Sequence, residues 1–150
     1  MASTVTAATA TVQITESLTL GNVDRGGSHT RTITNVAEAD RRVMTVAFSG
    51  ETDLVELDTA NGQGKFVRAS IRYIRITNLD DTNFIRVRFN KSGAETADVK
   101  VSAGATFMLS TGSMDVDATA SAFSAFVDID NISAQADTAD VDIEFVVFAV

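Results

Sequence analysis

Three arginines alternate with apolar residues in the segment YIRITNLDDTNFIRVRF, which runs from Tyr73 to Phe89. Alternation at period two predicts strands with one apolar face. The apolar residues that we expect to point to the core are Ile74, Ile76, Ile85, Val87 and Phe89. Arg75, Arg86 and Arg88 would then share the opposite face of one hairpin, where three like charges repel each other unless carboxylates lie nearby. The chemistry that this pattern offers is ion pairing.

Acidic partners for these arginines are available in the C-terminal third of the chain. Residues 101–150 contain eight acidic side chains and no basic one, whereas residues 61–100 contain eight basic and four acidic ones. The carboxylates that alternate with apolar residues there are Asp128, Asp130, Asp142 and Glu144. Two interpretations stay open. The arginines pair with these carboxylates on a solvated face of their own subunit, or Arg75, Arg86 and Arg88 form an interface with an acidic face of a neighbouring subunit.

Catalytic and metal-binding residues are not indicated by the sequence. His29 is the only histidine, which excludes a histidine-rich metal site and a two-histidine metalloprotease motif, and no G-x-S-x-G motif supports a nucleophilic serine. The carboxylate clusters around Asp80, Asp115 and Asp128 lack the spacing of a calcium-binding loop, and strand alternation by itself produces Asp-x-Asp. We therefore expect no enzymatic activity, no cofactor and no metal site.

Short strands account for most of the chain. Period-two alternation predicts nine or ten strands at the spacing of a β-sandwich or jelly-roll-like barrel, so we expect an all-β fold. Residues 1–11 are almost all Ala, Thr and Ser, and they predict a flexible N-terminal arm before a single domain over residues 12–150. The parity of the apolar residues slips near Arg72–Tyr73, which predicts a β-bulge. The segment NVAEAD, residues 35–40, predicts a short helix or a loop.

Charge and hydropathy exclude further classes of function. A sequence pI near 4.5 and a formal net charge of -8 argue against nucleic-acid binding, which needs a basic face. No stretch reaches the roughly 18 apolar residues that span a bilayer. The first residues lack the basic and apolar regions of a secretory signal, so we expect a protein made soluble in a cytoplasm, without a membrane partner.

The central segment IRYIRITNLDDTNFIRVRFNKSGAETADVKVSAGATFMLS combines several structural motifs. A strand ending in Ile-x-Asn (Ile76 to Asn78) precedes an acidic turn (Leu79 to Asn83) and a second strand (Ile85 to Phe89). A polar loop and a Val-x-Val-x-x-Gly-x-x-Phe strand pair (Val99 to Phe107) follow. This pattern, which covers about a third of the chain, resembles that of small virion proteins of tailed phages. The resemblance implies a β-sandwich or jelly-roll building block of a phage particle, without catalytic residues.

Within that class we expect a capsid decoration (cement) protein that binds and stabilises the outer head. It would be made in the host cytoplasm, form a homo-oligomer with a trimer favoured, and bind the major capsid protein or other virion proteins. Its N-terminal arm would add a strand to a neighbour's sheet edge through Thr4, Val5 and Thr9. The alternatives are a neck or tail component and a carbohydrate- or ligand-binding β-sandwich. A sugar site usually offers exposed aromatic rings, so the absence of Trp and the single tyrosine, Tyr73, weaken the last alternative, whereas the nine Phe leave it open.

Overall fold

The chain divides into two compact units. One is Met1–Glu38 together with Val150, and the other is Ala39–Ala149. The computed structural model describes residues 6–60, 62, 64–91, 96–112, 115–116 and 127–150. The predicted start of a single domain at residue 12 lies inside the first unit, and the single domain over residues 12–150 stays a prediction.

The first unit contains a two-stranded ribbon made by one long β-hairpin. Its strands are β1 (Ala8–Glu16), β2 (Thr19–Leu20), β3 (Val23–Asp24) and β4 (Gly27–Val36). Strand β1 pairs antiparallel with β4, and β2 pairs antiparallel with β3. The turn between β2 and β3 consists of Gly21 and Asn22, whose φ angles are 59° and 63°. A two-residue hairpin turn of type I′ needs positive φ at both positions, and these two residue types accept it. We call residues 8–36 the ribbon.

The second unit is a β-sandwich. Its elements, the first of which starts one residue before the unit, are β5 (Glu38–Val46), β6 (Thr52–Asp58), β7 (Lys65–Val67), the 3-10 helix η1 (Arg68–Ser70), β8 (Ile71–Asn78), β9 (Ile85–Asn90), β10 (Thr96–Val101), β11 (Thr106–Leu109), β12 (Asp115–Val116), β13 (Val127–Asp128), β14 (Asn131–Ala136) and β15 (Val141–Ala149). In the described part of the chain, a five-stranded sheet has the order β10-β9-β14-β6-β7. A four-stranded sheet has the order β11-β8-β15-β5, and β12 pairs with β13.

Apolar residues of both sheets form one core. Members from the four-stranded sheet include Ile74, Ile76, Val141, Ile143, Phe145 and Val147, and members from the five-stranded sheet include Leu54, Ile85, Val87, Phe89, Ile132 and Ala134. The five core residues predicted from the alternation around the arginines are between 0% and 3% exposed, which confirms that prediction. Full burial of one such side chain contributes roughly 1.5–3 kcal/mol, so this core is the main source of stability in the second unit.

Strands β8 and β9 belong to different sheets, so the predicted hairpin between them is wrong. The link from Leu79 to Phe84 crosses from the four-stranded to the five-stranded sheet, and the link between β10 and β11 crosses back. The two crossings lie side by side, because the Gly104 N–H donates to the Asp80 carbonyl at 2.9 Å. We call the link from Leu79 to Phe84 the first crossing and the link between β10 and β11 the second crossing.

Strand β8 contains the predicted bulge. Along β15, Phe148 lies opposite Tyr73, whereas Ala149 lies opposite Ile71. Arg72 is therefore the extra residue of β8, and the buried positions of the strand change parity just after Tyr73. The bulge predicted at Arg72–Tyr73 is confirmed.

The all-β prediction is confirmed, whereas the predictions for residues 1–11 and for residues 35–40 need correction. Within the described residues no α-helix is present, and no helix is long and apolar enough to cross a membrane. Of the arm predicted at residues 1–11, residues 1–5 lie outside the described residues, and residues 8–11 form the start of β1. The segment NVAEAD holds the end of β4 and the start of β5, separated by Ala37 alone, so the expected helix or loop is wrong. Strand pairing decides its conformation rather than local helix propensity, since Val36 pairs with Ala8 of β1 and β5 lies beside β15.

Candidate functional site

The outer face of the five-stranded sheet carries polar side chains from adjacent strands. We call it the charged face, and its residues are Glu51, Asp53, Arg86, Arg88, Asn90, Asp98, Asn131, Ser133 and Gln135. Register aligns them, since Arg88 lies opposite Asp98 on one side and opposite Ser133 on the other. Their sequence neighbours, such as Val87 and Ala134, are buried in the core, so strand alternation places the polar residues outside.

Arg88 is the centre of the charged face. Its Nε and Nη2 atoms donate to the two carboxylate oxygens of Asp98 at 2.7 and 2.9 Å, and its Nη1 atom donates to Glu51. A two-pronged guanidinium–carboxylate pair is stronger and more directional than a single ion pair. The hydrogen bonds between the two side chains are the main reason that the pKa of Arg88 is raised and the pKa of Asp98 is lowered. These contacts hold Arg88 in a fixed place within its own subunit.

Neutral side chains extend this network across the sheet. The Ser133 hydroxyl donates to Glu51 at 3.0 Å, and the Asn90 amide donates to the Ser133 oxygen at 3.1 Å. The same Asn90 amide donates to Asn131 at 3.2 Å, and Asn131 donates to Asp53 at 3.0 Å. Ser133 is only 1% exposed although it lies on an outer face, so the side chains around it exclude water. A connected network of this kind orders all its members.

Arg86 also has its partners on the charged face. Its Nη2 atom donates to Gln135 at 2.8 Å, and its guanidinium lies 3.8 Å from Glu51 and 3.7 Å from Asp98. Within one subunit, the prediction that Arg86 and Arg88 pair with carboxylates of the C-terminal third is therefore wrong, whereas pairing across an interface stays a prediction. Strand β9 lies between β10 and β14, and the outward side chains of β14 on this face are neutral. The acidic groups within reach come from β10 and from the residue before β6.

Arg75 confirms the predicted pairing, on the other sheet. Its guanidinium donates to Glu144 on the neighbouring β15, and the Arg41 Nε atom donates to the same carboxylate at 2.8 Å. Hydrogen bonds from Arg41 and then from Arg75 lower the pKa of Glu144. Because β8 and β9 belong to different sheets, Arg75 does not share a face with Arg86 and Arg88. The predicted single arginine face is wrong, and the role of these residues at an interface stays a prediction.

Arg68 is a well-connected residue that the sequence analysis missed. Its side chain, 13% exposed, donates to the carboxylates of Asp128 and Asp130. It also donates to the carbonyls of Ile129 and Leu57. Arg68 thereby joins η1 to the end of β6 and to the chain between β13 and β14. The alternating carboxylates were recognised in the sequence, but Arg68 precedes the alternating run, so nothing in the pattern matched it to them.

The described residues contain no group of three or more His, Cys, Asp or Glu side chains that could hold a metal ion. Asp80 accepts the backbone N–H groups of Asn83 and Thr82 at 2.6 and 2.7 Å, and these bonds lower its pKa. It stabilises the turn of the first crossing. His29 is exposed on β4, and the side chains of the cluster around Asp115 lie outside the described residues.

The ribbon carries exposed apolar side chains toward its tip. They are Ile14 (37%), Leu18 (52%), Leu20 (64%) and Val23 (51%). These four are half of the eight large apolar residues that are exposed in the described part of the chain. Thr9 is exposed on β1, whereas Thr4 and Val5 lie outside the described residues, so their predicted contacts stay predictions.

Burial decreases along the ribbon from its base to its tip. Near the end of β4, Ile33 and Val36 are 4% and 8% exposed, in contrast to the tip. A two-stranded hairpin is at best marginally stable in water on its own, and clustered exposed apolar residues mark contact surfaces. The arrangement is therefore suited to docking against another surface. Comparisons with protein-family models, curated proteins and solved structures find no match to this chain.

Proposed function

We propose that this protein is a non-enzymatic structural subunit of a tailed-phage particle, and that it acts as a decoration (cement) protein on the outer head. The observation that carries the proposal is the apolar tip of the ribbon, which has the properties of a docking arm. The motifs from Ile76 to Phe107 support the phage class by their resemblance to small virion proteins. Arg75, Arg86 and Arg88 have carboxylate partners within their own subunit, and this internal ion pairing supports a structural role.

The ribbon tip supplies the binding energy in this proposal. Leu18, Leu20 and Val23 enter an apolar groove of the major capsid protein, and each side chain contributes up to roughly 1.5–3 kcal/mol when fully buried. A ligand that binds the assembled head and not its dissociated subunits stabilises the assembly by mass action. Many copies on one head add these contributions, which is how a small subunit acts as cement.

The alternative of a sugar-binding module has less support. A sugar platform needs accessible aromatic rings, and the sequence offers Tyr73 and nine Phe. Among the aromatic residues that the structure describes, Phe48 alone is exposed, at 50%, so no pair of exposed rings forms a platform there. Tyr73 is 5% exposed, and its ring stacks on that of Phe148 with 5.3 Å between centroids. A neck or tail location needs the same docking arm, so it is tested beside the head location.

A triple variant with Leu18, Leu20 and Val23 changed to Ser tests the proposal. We expect it to keep the melting temperature of the wild type and to lose co-sedimentation with phage heads that lack this protein. Val43→Ser is the matched control, because Val43 is 64% exposed but lies on the sandwich. Undiminished head binding by the triple variant would contradict the proposal. Wild-type binding to purified tails and not to heads would move the protein to the tail.

A further inference from the structure

The outer edge of β1 is a long strand edge without a partner in the described sheets. Strand β1 runs for nine residues, Ala8–Glu16, and β4 is the one strand that pairs with it there. The outer edge of a strand presents a row of N–H and C=O groups that are ready to pair with another chain. A long edge of this kind is either protected or used for assembly.

Strand β1 lacks the features that protect strand edges. It contains no Lys, Arg or Pro, and its single charge is Glu16 at the last position. The opposite edge of the ribbon, on β4, has Arg31 and a bulge where Thr34 and Asn35 lie across from Thr9. Charges in strands and bulges both discourage edge-to-edge pairing, so the protection is confined to β4.

The other sheet edges of the described chain are short or charged. Strands β7 and β11 have three and four residues. Strand β10 has Asp98 and Lys100, and β5 has the run Asp40, Arg41 and Arg42. The β1 edge is therefore the one long edge with an uncharged interior among the described strands.

We propose that the outer edge of β1 pairs antiparallel with β1 of a second copy of this chain, with Val12 opposite Val12 of the other copy. This register is the one that pairs all nine residues of both strands. It places Ala10 opposite Ile14 and Thr11 opposite Gln13, so apolar residues meet on one face and polar residues on the other. Glu16 lies opposite Ala8, so no like charges meet. The strand is complementary to itself about a two-fold axis.

The distribution of charge favours a second copy as the partner. Residues 6–36 contain two acidic and two basic side chains, Glu16, Asp24, Arg25 and Arg31, so they are neutral. The formal net charge of -8 therefore belongs to the remainder of the chain. Two copies that meet through β1 bring their neutral segments together. The resulting pair is a dimer with a four-stranded sheet β4-β1-β1-β4, in place of the trimer expected from the sequence.

Two double variants test the register by charge. In Thr11→Lys with Gln13→Lys, the proposed pairing puts Lys opposite Lys twice, and we expect the dimer dissociation constant to rise at least about tenfold. In Thr11→Lys with Gln13→Glu, each Lys lies opposite a Glu of the other copy, and we expect dimerisation within about threefold of the wild type. Sedimentation velocity over a concentration series measures both. A wild type that stays monomeric at millimolar concentration, or equal loss in both variants, would overturn the proposal.

Single cysteines test the geometry independently, because the chain has no cysteine of its own. Opposed residues of an antiparallel pair have Cα atoms about 4.5–5.5 Å apart, within the range that a disulfide spans. We expect Val12→Cys to form a disulfide-linked dimer under mild oxidation, and Thr11→Cys and Ser28→Cys to form no disulfide between copies. Crosslinking of Ser28→Cys to the same extent would overturn the proposal. All of these measurements use the isolated protein, so they test the dimer independently of the proposed binding to phage heads.

Discussion

At the scale of single residues, Asn78 explains the Ile-x-Asn motif. Asn78 is 1% exposed, and its amide group donates to the carbonyls of Asn83 at 2.8 Å and of Val101 at 3.3 Å. Its side-chain oxygen accepts the N–H of Asp80 at 3.0 Å. One side chain thus joins the end of the first crossing to the end of β10. Only an amide offers donors and an acceptor in this geometry, so the residue type follows from the link between the sheets.

Replacing Asn78 by Leu should lower the free energy of unfolding by about 2–4 kcal/mol, because one buried and two partly buried backbone groups lose their partner. Urea denaturation followed by circular dichroism measures the change. Asp81→Asn is the control, since Asp81 lies exposed in the same crossing, and we expect a change within about 0.5 kcal/mol. Similar losses for both variants would show that the crossing is sensitive to any substitution and that Asn78 has no special role.

The ion pairs of Glu144 make the stability of the folded state depend on pH. The two arginines lower its pKa in the folded state, so the folded state binds fewer protons than the unfolded state in acid. The stabilisation from Glu144 is therefore complete above about pH 4.5, its ordinary pKa, and is lost as pH falls through the lowered folded value. We expect the difference in urea midpoint between wild type and Glu144→Gln to be constant from pH 7 to 5 and to shrink below pH 4. A difference unchanged at pH 3 would contradict this origin.

At the scale of elements, alternation predicted faces but not sheet membership. The period-two pattern places Ile76 and Ile85 in the core correctly, and the parity slip locates the bulge at Arg72. A six-residue acidic link suits a hairpin and a crossing equally well, since both need the same turn residues. The choice between them depends on contacts with distant segments, such as the Leu79 N–H bond to the Asp142 carbonyl at 2.9 Å. No local pattern contains that information.

The partners in the ion pairs were likewise only partly predictable from local sequence patterns. Glu144 was identifiable as a partner of Arg75, because both alternate with core residues on strands that become neighbours. Asp98 lies ten residues after Arg88 and pairs with it between β9 and β10, whereas the predicted hairpin joined β8 to β9. Segregation of charge between thirds of the chain suggested the wrong partners, because strand adjacency and not average charge decides which side chains meet.

Gly104 lies in the second crossing, and replacing it tests whether its left-handed backbone conformation requires glycine. Its φ is 67°, and a Cβ atom added there meets nothing within 4 Å, so substitution produces backbone strain without a clash. We expect Gly104→Ala to cost about 1 kcal/mol of unfolding free energy, measured by urea denaturation. Gly50→Ala is the matched control, because that site is equally open and its φ is not in the left-handed region. An equal effect at both positions would contradict the strain argument.

At the scale of the whole molecule, the net charge and the surfaces that we propose for association lie in different parts of the chain. The ribbon is neutral, whereas the remainder carries the entire formal net charge of -8. Repulsion between acidic bodies keeps the sandwich units apart in solution, and it opposes every mode of association that brings them close. The uncharged β1 edge and the apolar ribbon tip are then the surfaces on which association costs least electrostatic energy.

The salt dependence of dimerisation distinguishes pairing through β1 from an interface made by the arginines. Screening shortens to about 3 Å at 1 M ionic strength, which weakens both repulsion between bodies and attraction across ion pairs. If copies meet through β1, raised salt should tighten the dimer, because it removes repulsion and leaves the strand pairing intact. If they meet through Arg75, Arg86 and Arg88, raised salt should loosen it. Sedimentation velocity of the wild type at 0.05 and 1 M salt measures the direction of the change.

The control for the salt experiment is the triple variant with Arg75, Arg86 and Arg88 changed to Ala. It should still dimerise and should tighten more steeply with salt than the wild type, because losing three arginines takes the formal net charge from -8 to -11. Strand pairing itself should persist, because these arginines have carboxylate partners within their own subunit. Its melting temperature should fall, since even exposed pairs contribute up to about 1 kcal/mol each and the pairs of Arg75 and Arg88 are partly buried. A dimer that loosens in salt and disappears in the triple variant would assign association to the arginines and remove it from β1.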